Sequence, residues 1–136
     1  MNPPLAFNLP AILVATLSAF GLGAVWYSPS VFGRIWMRES GFTEKTLRAK
    51  GGTARIFGGT FVLELLMAFN LSAFLGGKAT VGFGALAGAA AGFGWVAASY
   101  GVTYLFEHRT VRIFLINAGY HAIALTLMGA ILGAWS

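Results

Sequence analysis

The sequence predicts an all-α protein, an integral membrane four-helix bundle, and three observations carry that expectation. Four stretches stay apolar over the roughly 20 residues needed to cross a hydrocarbon core of about 30 Å. Charged residues make up only 10% of the 136-residue chain against 57% hydrophobic, with a mean hydropathy of +0.76, whereas a soluble domain carries about 25% charged residues. Eight of the nine Lys and Arg residues gather in or beside two connections instead of being scattered. Helices are the expected spanning form, because no stretch alternates polar and apolar residues as a barrel strand does.

The first span is expected over residues 8–28, where Pro29 pushes Ser28 out of the helical region and ends it. Met1 to Pro10 lacks a basic n-region and no small-residue cleavage site follows, so a retained helix is expected rather than a removable signal peptide. Residues 29–53 form an interfacial loop with Arg34, Arg38, Lys45, Arg48 and Lys50 against Glu39 and Glu44. In a short helix there, Phe32 and Trp36 would share one face and Arg34 and Arg38 another, which suits the headgroup plane. An ordered polar loop with two aromatic anchors fits the same residues.

The second span is expected over 54–75, the third over 81–106 and the fourth over 111–135, joined by a Gly76–Thr80 turn and by Glu107–Thr110. Lys and Arg excess marks cytoplasmic loops. The first and third connections are therefore expected inside and both termini outside, in a multi-pass inner (plasma) membrane protein. Trp26, Tyr27, Trp36 and Tyr104 are the expected anchors at the inner boundary, and Trp135 at the outer one. The expected partner is thus the lipid bilayer. The net charge of +5 is assigned to topology, not to nucleic acid.

The chain also echoes itself. Thr53-Ala54-Arg55-Ile56-Phe57 returns as Thr110-Val111-Arg112-Ile113-Phe114, a shift of 57 positions that also pairs Thr60 with Asn117 and Glu64 with His121. The first and third spans align at a shift of 73, pairing Tyr27 with Tyr100. A duplicated two-helix hairpin is expected to relate its halves by a pseudo-twofold along the membrane normal. Small residues at every fourth position let membrane helices approach closely. Ala11, Ala15, Ala19 and Gly23 form such a spine in the first span, Gly84, Gly88 and Gly92 in the third, and Gly129 and Gly133 in the fourth. On that basis the glycine-rich third span is expected to be the central helix or a self-association face.

Glu64 and His121 lie near the middle of co-directional spans, so they are expected at similar depth. An ionised carboxylate at mid-bilayer costs at least about 2.5 kcal/mol, so Glu64 needs a proton, a partner or water. His121 is the expected partner, with Thr60, Asn117 and Tyr120 nearby and Thr16, Ser18, Ser99 and Thr103 as further candidates. The same residues suit two roles: a proton-binding site, or a polar clasp that fixes helix register. One His and one Glu are too few for a metal site. Without cysteine there are no disulfides or thiolate ligands. No cofactor is expected, and no nucleophile–base constellation points to an enzyme.

Gly23-Ala24-Val25-Trp26-Tyr27-Ser28-Pro29-Ser30-Val31-Phe32-Gly33-Arg34-Ile35-Trp36-Met37, followed by Gly41-Phe42-Thr43, resembles the amino-terminal signature of the bacterial membrane family catalogued as domain of unknown function 1761. Asn117 to His121 and Met128 to Trp135 resemble its carboxy-terminal signature. The resemblance spans nearly the whole chain and implies a small four-helix membrane protein, without an activity or a catalytic residue to carry over. The leading expectation is an oligomerising or accessory helix-packing membrane protein, as a homo-oligomer or within a larger complex. The alternative is a proton-coupled small-solute transporter or channel using a Glu64–His121 pair.

Overall fold

The computed structural model describes residues 7–77 and 79–135, so the expectations for Lys78 and for the first six residues lie outside the described residues. Helix α1 spans Leu9–Trp26, α4 Thr53–Leu75 and α7 Val111–Ala134. The third span is composite: α5 (Val81–Ala91), a π turn (Gly92–Ala97) and α6 (Ala98–Phe106). All four spans are long and apolar enough to cross a membrane, and the protein is a multi-pass membrane protein built as an all-α four-helix bundle.

Local chemistry sets the ends of these helices. Side chains of Asn8, Thr80 and Thr110 accept from the third amide beyond each, capping α1, α5 and α7. The connection 29–53 contains two short helices, α2 (Gly33–Ser40) and α3 (Glu44–Lys50), with a Thr43–Thr46 capping box opening α3. Trp36 packs on Phe42 and edge-on against Tyr27, while Phe32 packs on Trp26, leaving Arg34 and Arg38 exposed. Thr110 Oγ1 donates to Glu39 Oε1 at 2.7 Å. That contact ties α2 to the positive end of the α7 dipole.

The central helix is α7, not the third span as its glycines had suggested. Half of the most apolar window of α7 is buried, against 28% in α1 and 17% in both α4 and the third span. The glycines explain the difference. Gly84, Gly88 and Gly92 form one narrow stripe against α7, while Phe83, Leu86, Phe93 and Trp95 point outward. A glycine stripe buries backbone, not circumference. A Cβ on Gly84 would strike the Gly129 carbonyl, one on Gly88 the Leu125 carbonyl, and one on Gly133 the Thr80 carbonyl. Ala11, Ala15 and Ala19 of α1 are fully buried on the other side, in one cluster with Tyr120, Ala124 and Met128 of α7. Burial is therefore unequal between the two hairpins, with α4 at the periphery where α7 is central.

The π turn has a geometric cause. Residues facing α7 recur every fourth position from Gly84 through Gly88, Gly92 and Val96 to Tyr100 and Tyr104. In an α-helix each such step drifts about 40° around the axis. A π turn takes more residues per turn, so it recovers part of that drift and keeps both tyrosines aimed at α7.

Candidate functional site

A cleft of about 420 Å³ opens between α1, the first half of α4, α6 and α7. Its rim is loose because residues 53–59 of α4 are all exposed, including Ile56 and Phe57. Its floor is tight, with Glu64 only 3% exposed. Between them stand the rings of Phe20, Phe57, Tyr27, Tyr100 and Tyr120.

Glu64 and His121 both line this cleft but share no hydrogen bond, which corrects the expected pair. Consecutive residues on a helix diverge by about 100°, so Tyr120 and His121 face different neighbours. Tyr120 turns toward α1 and α4, where its hydroxyl lies 2.6 Å from Glu64 Oε1 and 2.7 Å from the Ala19 carbonyl oxygen. His121 turns toward α6, stacks on Tyr100 with centroids 5.3 Å apart, and places Nε2 3.1 Å from the Tyr100 hydroxyl. Gly23 makes room for this arrangement: a Cβ there would stand 3.2 Å from Tyr120 Oη.

A tyrosine hydroxyl carries one proton. Tyr120 cannot donate to Glu64 and to Ala19 at once. Both short contacts are hydrogen bonds together only when the carboxyl holds a proton and donates it to Tyr120, while Tyr120 donates to Ala19. Among the described residues, the other carboxyl oxygen, Oε2, is buried without a hydrogen-bond partner, as is His121 Nδ1. Unpartnered buried polar atoms are rare, and each calls for an explanation.

A second polar cluster adjoins the cleft. Tyr27 donates to Asn117 Oδ1 at 2.7 Å, and Asn117 Nδ2 donates to Tyr104 at 2.8 Å. Trp26 Nε1 donates to the Ile116 carbonyl at 2.9 Å. Trp26, Tyr27 and Tyr104, expected as boundary anchors, thus bond inward to α7. Trp135, the expected outer anchor, ends α7 and accepts from Asn8 Nδ2 through its carbonyl.

Other expected partners stay on their own helices. Thr60 lines the cleft but donates to Ile56 O, and Thr16 and Ser99 donate to Ile12 O and Trp95 O. Asn70, in the discounted sequon, likewise donates to Leu66 O. Sequence reasoning left Tyr100 out of the site. Its equivalence to Tyr27 at the shift of 73 was the available signal, since both tyrosines bond residues of α7 that stand one turn apart.

The family model described as "Protein of unknown function (DUF1761)" matches residues 10–133. No curated protein and no solved structure gives a match.

Proposed function

We propose that this chain, which belongs to the DUF1761 family of proteins of unknown function, is a membrane carrier that binds a small solute in the Glu64 cleft in exchange for a proton. Glu64 holds the proton, Tyr120 orients the carboxyl, and the Tyr100–His121 pair forms the opposite wall. One observation carries the reading: a buried carboxyl lines an open cleft with one oxygen on a tyrosine and the other, among the described residues, without a hydrogen-bond partner. Ionisable groups within spans mark substrate and proton pathways. A pure register clasp would be expected to satisfy every polar atom it buries.

The oligomerising reading has less support, because the glycine stripes invoked for self-association are occupied within the chain. Gly84, Gly88, Gly129 and Gly133 face one another's backbones across the α5–α7 contact. The setting proposed is the inner membrane of a bacterium, with the basic connection 29–53 inside and both termini outside.

Two measurements test the carrier. Infrared spectroscopy of the purified protein should show a neutral carboxylic acid C=O stretch that Glu64→Gln lacks. Vesicles holding a pH indicator are then offered small cations, neutral solutes and anions in turn. Wild type should move protons with at least one class, and Glu64→Gln should fold but move none. Wild-type vesicles that pass neither protons nor any of these solutes would rule the carrier out.

A further inference from the structure

Resting on the exchange site proposed above, we infer that the solute class is a hydrophobic organic cation, an amine or quaternary onium whose charge replaces the Glu64 proton. The one carboxyl lining the cleft is Glu64, and the one imidazole, His121, is stacked on Tyr100 with Nε2 facing its hydroxyl. Among the described residues no Lys or Arg lines the cleft, and the titratable groups facing it are Glu64 of α4, Tyr27 of α1, Tyr100 of α6, and Tyr120 and His121 of α7. Aromatic faces supply the rest of the wall. A cation within about 6 Å of a ring centroid is attracted by the ring's negative face, and more strongly where water is excluded. A volume of about 420 Å³ falls within the range of drug-sized ligand sites.

Charge accounting separates this class from the others. A neutral solute brings no charge to replace the departing proton and would leave a carboxylate uncompensated within the span. An anion would face a carboxyl with a single imidazole to oppose it, and Nε2 of that imidazole already faces Tyr100. With a cation, the carboxyl O–H bond breaks, the proton leaves to water through the rim at Ile56 and Phe57, and a carboxylate–cation pair remains. The site holds the same net charge before and after. The unpartnered Oε2 then gains a counter-ion in place of the missing hydrogen bond. The open rim at Ile56 and Phe57, both more than half exposed, gives an apolar body a way in toward Glu64.

The test uses two ions of one shape and opposite charge, tetraphenylphosphonium and tetraphenylborate, with the full chain in nanodiscs of zwitterionic lipid. Binding is read by calorimetry and by a pH indicator in weakly buffered solution. Tetraphenylphosphonium should bind and release close to one proton per site, and tetraphenylborate should bind at least tenfold more weakly. Glu64→Gln should weaken the cation at least tenfold and abolish proton release, while its thermal unfolding stays near that of wild type. Equal binding of the two ions would overturn the cation assignment, and that comparison needs no variant. So would cation binding without proton release, or unchanged cation binding by a folded Glu64→Gln. If neither ion binds while wild-type vesicles still exchange protons with a neutral or anionic solute, the cation assignment fails and the carrier stands. If the neutral carboxyl band is missing from wild type, both fail.

Discussion

Along one face of the third span, the chain meets α7 in two opposite ways. From Gly84 to Gly92 the helices touch backbone to backbone, with no room for a single added carbon. From Tyr100 to Tyr104, beyond the π turn, the same two helices are bridged by rings and hydrogen bonds to His121 and Asn117. Lipid tails are as apolar as leucine, so membrane helices associate through close contact and hydrogen bonding rather than hydrophobic burial. The glycine half uses the first and the tyrosine half the second. Only the second leaves space, and the Glu64 cleft occupies it. A seam with no space lies end to end with a wall of hydrogen-bonded rings.

The largest expected effect breaks the glycine half. Gly88→Leu would drive a side chain into the Leu125 carbonyl and should destabilise the protein by about 3 kcal/mol or more, the upper range of overpacking, as read by reversible unfolding in detergent. On the tyrosine half, Tyr120→Phe removes the hydroxyl that partners the Glu64 carboxyl. The loss should be about 1–3 kcal/mol, the cost of leaving a buried polar group unpaired, and the neutral carboxyl band should move to higher frequency. Asn117→Ala severs the links to Tyr27 and Tyr104 at the margin of the cleft and should cost about 1–2 kcal/mol. Its readout is the same unfolding assay.

The smallest effects sharpen the contrast between buried and outward glycines. A Cβ on Gly82 would meet nothing within 4 Å. Gly82→Ala should therefore be neutral, or stabilising by up to about 1 kcal/mol from helix propensity. If Gly82→Ala and Gly88→Ala destabilise equally, the seam is not the rigid half of the hairpin.

Much of the fold was legible because a bilayer imposes strong local rules. Four apolar runs, the helix stop at Pro29 and the basic connections can each be found in a short window of sequence. The nearness of Glu64 and His121 was legible too, since each stands nine residues beyond the arginine of its Thr-X-Arg-Ile-Phe motif, and both line one cleft. Their partners were not. Tyr120 and His121 are neighbours in sequence, yet one faces Glu64 and the other Tyr100, and only the rotation of α7 within the bundle assigns them. Gly23 looked like one more packing glycine, and its place beneath the Tyr120 ring depends on how α1 lies against α7.

The choice of central helix follows the same division. Composition singled out the third span, because glycine content signals that a helix approaches another closely. It does not say how much of the helix circumference is covered. That depends on how many neighbours surround a helix, a property of the whole arrangement, and here α7 has neighbours on several sides while the third span has chiefly one. Helix identity, length and order are set by local propensity and by the width of the apolar core, so the sequence by itself determined them. The pairing of side chains, the π turn's re-aiming of Tyr100 and Tyr104, and the cleft around Glu64 come from helix rotation and crossing. Those are fixed only when all four spans pack at once.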